Sequence, residues 1–264
     1  MTETKKNIPV LYLLLLVFCG CAAVPKAAAP LNVASPEAAL AQIAARLPAD
    51  AVLLALADAR VATHTKEGAY PLKLAVLLKR PASIRVEAIP LFGPPAFFLS
   101  VRDGTLKVFL NETGAFYIGR ATPDNMGRYL PLKMGPEDLF ALLTGTCFAS
   151  PGPDTLLRGY PEGDHYRIDV VEPLKRRSLW VRMTDGFLES LEVYAEQQRL
   201  YRVRFEEPLS MEAAMFPQKI TFSSDGVDGV SVSIRYRDIQ FLKDVDPELF
   251  GLEAPPGVEP VHLD

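Results

Sequence analysis

Few residues in this chain could do chemistry. His64, His165 and His262 are its histidines, and Cys19, Cys21 and Cys147 its cysteines. Asp164-His165 is the one adjacent acid–imidazole pair among them, and a hydrolase needs such a pair beside a nucleophile. His165 reads as the start of a strand, where neighbouring side chains point to opposite faces, so the two are not expected to share a site. Cys147, in Thr144-Gly145-Thr146-Cys147-Phe148, follows a predicted helix without a visible acid–base partner and reads as a buried, inert thiol. No GxSxG, HExxH, CxxC, P-loop or dinucleotide fingerprint occurs, and the carboxylates read as solvated strand faces. The expectation is a protein with no catalytic residues, no metal and no cofactor; a hydrolase is the weakest reading.

The N-terminus points to chemistry done on the chain. Lys5 and Lys6 precede an uncharged apolar run from Ile8 to Phe18, too short to span a bilayer and right for a signal-peptide core. The run ends in Phe18-Cys19-Gly20-Cys21, then Ala22-Ala23. A small residue just before a Cys, after an apolar run, resembles the bacterial lipobox, with Phe18 and Cys19 departing from its usual residues. Cleavage after Gly20 leaves Cys21 as the new N-terminus, with lipid (palmitate among the acyl groups) on its sulfur and amine. Ala22, where Asp would retain a lipoprotein at the inner membrane, implies by the same resemblance the outer membrane, facing the periplasm. The alternatives are an ordinary secretory signal or a membrane-anchoring helix. Residues 1–20 are thus read as a signal peptide, 21–34 as lipidated Cys and flexible tether, and 35–264 as one folded domain.

Composition fits a globular domain on a tether. The 264 residues carry 28 Lys and Arg against 32 Asp and Glu, a net charge of −4, with 49% hydrophobic residues. That excludes a disordered polyelectrolyte and argues against nucleic acid as a partner. Three cysteines cannot build a disulfide framework. Twenty-three prolines against 17 glycines suit the stiff turns of a β-rich chain.

Ser35-Pro36-Glu37 opens a helix, with Leu40, Ile43, Ala44 and Leu47 at helical spacing. Val52 to Ala57 reads equally as helix packing or as the start of a sheet. From Arg60 the period becomes two. Leu72, Leu74, Val76 and Leu78 share a face, and Ile84, Val86 and Ala88 alternate with Arg85 and Glu87. Phe97 to Val101, Leu106 to Leu110 and Ala115 to Gly119 follow as short strands. Thr122-Pro123-Asp124 and Pro136-Glu137-Asp138 start two more helices. Tyr166/Ile168/Val170, Leu179/Val181/Met183, Tyr201/Val203/Phe205 and Val230/Val232/Ile234/Tyr236 alternate with polar residues. About eleven antiparallel strands are expected, each with one apolar and one wet face. A few short helices cannot cover so much sheet. A strongly curved half-barrel lidded by helices leaves a cavity; a closed β-sandwich satisfies the same alternation.

Ala88-Ile89-Pro90-Leu91-Phe92-Gly93-Pro94-Pro95-Ala96 is a turn that carries Leu91 and Phe92 where polar residues are usual. Such a tip either dips into a bilayer or folds back on the lid. Val170-Val171-Glu172-Pro173-Leu174-Lys175-Arg176-Arg177 is a second turn, with a basic cluster that suits anionic head groups or a plain solvated hairpin.

Several short motifs, taken in order, resemble the bacterial lipoprotein-sorting family: the periplasmic carrier LolA, the outer-membrane receptor LolB and LolB-like lipoproteins. Lys79-Arg80-Pro81 with Ile84-Arg85-Val86-Glu87 looks like the family's K-R-P strand pair. Ile89-Pro90-Leu91-Phe92-Gly93 looks like its proline-leucine-glycine turn, and Val101-Arg102-Asp103-Gly104 like its D-G hairpin. Phe250-Gly251-Leu252 with Pro255-Pro256-Gly257-Val258 looks like its ending. A Trp often present after the D-G turn is missing; Lys107-Val108-Phe109 stands there.

The resemblance, closest to the LolB-like branch, implies a mainly β half-barrel of about eleven strands covered by helices, holding acyl chains of lipoproteins or lipids. Leu72, Leu74, Val76, Ile84, Val86, Phe97 and Leu99 are expected to line the cavity, with Trp180 and Tyr201 as further candidates. Leu91 and Phe92 take the place of a membrane-delivery loop, and Arg80 is expected to order the lid or a strand edge. A periplasmic LolA-like carrier is an implied partner, and the chain is expected to be monomeric. The alternative is a docking lipoprotein of an envelope complex, with a filled core and no lipid cargo.

Overall fold

The computed structural model describes residues 29–264 apart from 64–65, 91, 94, 132, 148–151, 212–213, 226–228 and 244. Cys21, the segment before it and Leu91 therefore lie outside the described residues. The chain runs α1 (Pro36–Ala44), β1 (Val52–Thr63), β2 (Lys66–Lys79), β3 (Ser83–Pro90), β4 (Phe97–Arg102), β5 (Thr105–Leu110), β6 (Ala115–Arg120), α2 (Pro123–Met126) and α3 (Pro136–Thr144). It continues β7 (Leu156–Glu162), β8 (His165–Val171), β9 (Arg176–Arg182), β10 (Leu188–Ala195), β11 (Gln198–Met211), β12 (Ala214–Ser224), β13 (Val230–Leu242), a 3-10 turn (Pro247–Phe250) and β14 (Val261–His262).

All fourteen strands join one open, highly curved sheet, in the order β14-β6-β5-β4-β3-β2-β1-β13-β12-β11-β10-β9-β8-β7. The expected architecture stands, but fourteen strands replace the expected eleven or so. The first half of β1 hides because Val52 to Ala57 is apolar at every position, so a period of two does not show there. Its Leu53 and Ala55 enter the main core, while Val52 joins Leu77 and Phe250 in a small cluster on the convex side. β14 has two residues, pairs parallel to β6 and shows no alternation.

Alternation builds the rest. Tyr166, Ile168 and Val170 of β8 pair across from Val181, Leu179 and Arg177 of β9, and the apolar members are buried. Their polar neighbours stay on the convex face, which gives an antiparallel sheet wet on one side. Successive hairpin turns fall at opposite ends of the strands, so the sheet has two rims. The upper rim carries the β3–β4, β5–β6, β8–β9, β10–β11 and β12–β13 turns. The lower rim carries the β2–β3, β4–β5, β7–β8 and β9–β10 turns.

The helices sit in the concavity. The Ser35 hydroxyl accepts from the Ala38 N–H at 3.1 Å, capping α1 with Pro36 in its first turn, and α1 buries Ala39, Leu40, Ile43 and Ala44. Thr122 caps α2 in the same way. Glu137 and Asp138 lie at the positive end of α3, and Gly145 ends it at φ 65°. A Cβ on Gly145 would lie 2.6 Å from Pro217, so glycine serves both the left-handed backbone and the close approach of β12. After β13 the chain crosses the convex face. Ser100 Oγ donates to the Phe250 carbonyl there, and Lys107 pairs with Glu253 at 3.0 Å. The segment then reaches the β6 edge, where the Leu263 N–H donates to Ile118 O at 2.8 Å. Covering this edge removes a row of free backbone groups that would otherwise template pairing with another chain.

Candidate functional site

Leu139, Leu142 and Leu143 occupy one face of α3 at i, i+3 and i+4. They do not fill the space beneath them. A cavity of about 360 Å³ lies between this face, the Tyr129-Leu130-Pro131 segment and the concave side of β1–β4, β12 and β13. Its lining side chains are apolar except for the Tyr129 hydroxyl. The volume arises from small residues: Ala59, Ala88 and Ala96 line it where larger side chains would fill it. The strand positions that line it, such as Val61, Leu72, Ala88, Phe97, Phe222 and Val232, lie in the upper parts of their strands, so the cavity belongs to the upper rim.

Five of the seven residues expected to face a cavity border this one: Leu72, Leu74, Val76, Val86 and Phe97. Ile84 and Leu99 do not; both are completely buried in the packed core. Ile84 pairs with Leu78 and Val101, toward the lower rim, where side chains close the interior. Trp180 lies on the convex face and donates to Glu162 at 3.0 Å. Tyr201 is buried and stacks on Phe222 with ring centroids 5.2 Å apart. The contributions of β12, β13 and Tyr129–Pro131 went unread in the sequence. The available signal was the set of inward-facing alanines, which leaves unfilled volume.

No family model and no curated protein matches the sequence. Solved structures do match. A LolA superfamily protein from Nitrosomonas europaea aligns at TM-score 0.58 and 17% identity, over 81% of this chain and 94% of its own. A putative outer membrane lipoprotein-sorting protein domain from Vibrio parahaemolyticus aligns at TM-score 0.59 and 10% identity, over 80% and 93%. A DUF1329 family protein from Desulfovibrio piger aligns at TM-score 0.57 and 11% identity, over 82% and 97%. This chain has the LolA-like fold.

Within the LolA-like sheet, Ala88 and Phe97 pair at the base of the β3–β4 turn, and both line the cavity. Phe92 in that turn is 91% exposed, so its ring does not fold back on the lid. Arg80, at the lower end of β2, donates to the Ala44 carbonyl at 2.7 Å and lies 5.7 Å from the Phe140 ring centroid. One guanidinium thus ties β2 to the C-terminal end of α1 and to α3. Burial lowers its pKa, and nearby Cys147 partly offsets that. Arg80→Ala is expected to lower stability by about 2 kcal/mol, from a charged hydrogen bond and a cation–π contact. Thermal unfolding should show a fall of roughly 4–8 °C; an unchanged midpoint would leave Arg80 without an ordering role.

On the other side of α3 a smaller space of about 240 Å³ is bordered by Leu40, Ala141, Leu179 and Leu191, with Asp138, Glu172 and Arg177 among its polar neighbours. Cys147 borders it too. Burial pushes the Cys147 thiol up to about 12, and its Sγ donates to Leu40 O at 3.5 Å. A maleimide reagent is expected to leave Cys147 unmodified at pH 8 until the chain unfolds; modification of the folded protein would contradict the burial. The basic residues of the β8–β9 turn are paired within the protein. Lys175 and Arg177 both reach Asp138, at 3.0 and 3.4 Å, and Arg176 lies 4.3 Å from the Tyr194 ring centroid.

Two sequence expectations about charged groups are corrected. His165 does meet Asp164, Nδ1 to Oδ1 at 2.6 Å, and also Glu189, Nε2 to Oε2 at 2.7 Å. Asp164 belongs to the turn before β8, so strand alternation does not apply to it. His165 is clamped between two carboxylates, and among the described residues no hydroxyl or thiol hydrogen-bonds its imidazole. The carboxylates are also not all solvated: Glu192 is buried and accepts from Tyr194, Arg199 and Arg202. Among the described residues no group of His, Cys, Asp and Glu could hold a metal ion, and no helix is long and apolar enough to cross a membrane.

Proposed function

We propose that this protein is an outer-membrane lipoprotein, anchored through Cys21 and facing the periplasm, that binds acyl chains of lipoproteins or lipids and helps deliver them to that membrane. The observation that carries the reading is the apolar cavity of about 360 Å³, within the size range of small-molecule sites, roughly 300–1,000 Å³. An acyl chain in water is costly, at ~0.8 kcal/mol per CH₂. Ten methylenes placed against Leu72, Leu74, Val86 and Phe97 gain about 8 kcal/mol before the losses of binding. The near absence of polar groups in the lining suits transfer: without strong directional contacts to break, cargo leaves when a bilayer offers an equal environment.

In this reading a LolA-like carrier hands over the chain, Leu91 and Phe92 form the delivery loop beside the cavity, and the protein acts as a monomer without catalysis. The LolA-like neighbours support the reading through a LolA superfamily protein and a lipoprotein-sorting domain of the same fold.

The test uses the Cys21→Ser chain and a fatty-acyl probe bearing an environment-sensitive dye. Saturable binding with a blue shift, displaced by palmitate, is expected. Failure to bind would favour the docking lipoprotein without cargo. Phe92→Glu is expected to leave probe affinity unchanged and to slow transfer of the probe to vesicles at least tenfold; an unchanged transfer rate would remove the loop from delivery.

A further inference from the structure

Two large apolar side chains stand out for exposure among the described residues: Phe92 at 91% and Leu174 at 85%. Each is in a hairpin turn, β3–β4 and β8–β9 respectively, and both turns belong to the upper rim, as does the cavity. The lower-rim turns at Asp103-Gly104, Gly163-Asp164 and Thr184-Asp185-Gly186 are polar, as are the upper-rim turns at Asn111–Gly114 and Glu196-Gln197; among the described residues only the β3–β4 and β8–β9 turns hold a large apolar side chain out in water. The N-terminal segment joins the domain at the lower rim. Leu31 is buried there, its N–H donating to Met183 O at 2.9 Å just past the end of β9. Leu174 stands before the start of that same strand. One strand therefore has the tether at its lower end and the exposed leucine at its upper end.

We infer that Leu174 is a second membrane foot, which holds the domain with its upper rim on the bilayer that also holds the Cys21 lipid. This rests on the reading of Cys21 as the lipid anchor. The lengths permit it narrowly. From Met183 to Leu174 is nine residue steps, about 30 Å at strand rise. From Cys21 to Leu31 is ten steps, at most about 35 Å of extended chain. The bilayer is the partner that fits. The β3–β4 and β8–β9 hairpins that carry Phe92 and Leu174 have six strands between them in the sheet, so the two side chains form no contiguous patch of the size a stable protein interface needs. A bilayer accepts separate apolar insertions, each adding to an anchor that is already in place. The basic residues behind Leu174 are engaged by Asp138, Glu172 and Tyr194, so the contact is apolar and little affected by salt.

The test uses the lipidated chain in vesicles of phosphatidylethanolamine and phosphatidylglycerol, with a polarity-sensitive dye on Leu174→Cys. Cys147 is buried and the sulfur of Cys21 carries lipid in this reading, so the dye reports one position. The expected result is a blue shift with quenching by lipid-borne nitroxides, unchanged at 0.5 M salt, while the dye on Asp103→Cys reads water. Deleting residues 24–28 leaves five steps, about 18 Å, and should abolish the Leu174→Cys signal. A Leu174→Cys dye that reads water in the intact chain would overturn the foot, and a signal that survives the deletion would overturn the tether geometry. Neither outcome bears on acyl-probe binding by the Cys21→Ser chain, which tests the cavity separately.

Discussion

Ala88→Trp is expected to weaken acyl-probe binding at least a hundredfold while leaving the fold intact. Ala88 lines the cavity at the upper end of β3, so an indole there occupies the space an acyl chain needs. Displacing four methylenes removes ~3 kcal/mol, and each 1.4 kcal/mol is a factor of about ten in affinity. Overpacking a filled core costs about 1–3 kcal/mol, but here the added ring enters unfilled volume and the penalty should be small. Ala59→Phe, from the neighbouring wall on β1, should act the same way. Unchanged probe affinity in both variants, with circular dichroism and thermal unfolding like the parent, would mean that acyl chains do not use this cavity.

Glu192→Ala should be among the most destabilising single changes on the convex half of the sheet. Burial by itself would raise the Glu192 carboxyl, but the Tyr194 hydroxyl, Arg202 and Arg199 outweigh it and hold the group below the ordinary carboxylate range. Removing one partner of a buried charge network costs about 3–5 kcal/mol, which predicts a fall of roughly 6–20 °C in the unfolding midpoint. The pH dependence follows from the same direction. A depressed folded-state value means that the contribution is fully present above the unfolded carboxylate value, about 4.3, and is lost as pH falls through the folded one. Asp185 shifts the same way: burial raises it, and Arg182, the Phe187 N–H and Arg46 more than compensate. The parent should therefore lose stability steeply below about pH 4, and Glu192→Ala should flatten that loss. An acid profile identical to the parent's would place the sensitive group elsewhere.

The sheet was legible where one face is wet. Ile84-Arg85-Val86-Glu87 and Tyr166-Arg167-Ile168-Asp169 show their period of two because every second side chain is polar and lies on the convex face, in water or, like Asp169, paired with an arginine. Val52 to Ala57 did not, because the segment around Phe250 covers Val52 and Leu54 on the convex side as the core covers the other, and the next convex position, Leu56, is an exposed leucine. That cover comes from two hundred residues further along the chain, so no local pattern announces it. The helix starts at Ser35-Pro36, Thr122-Pro123 and Pro136 were readable because caps and first-turn prolines are local.

The cavity was half legible. Alternation identifies which face of β2 turns inward, but it says nothing of height along the strand. Leu72 and Ile84 look alike in sequence; one borders open space near the upper rim, and the other is sealed near the lower one. The difference is set by α3 and the Tyr129–Pro131 segment, which border open space over Leu72 and are remote from it in sequence. The His165 cluster is hidden for a related reason: Asp164 lies in the turn before β8, and a turn residue follows no alternation.

The most direct test of the account is extraction of lipid from the purified Cys21→Ser chain, followed by mass spectrometry. An apolar cavity that serves acyl chains should retain them through gentle purification, near one lipid per protein, and Ala88→Trp should purify with little or none. A parent chain that carries no lipid and takes up none from added micelles would contradict the account.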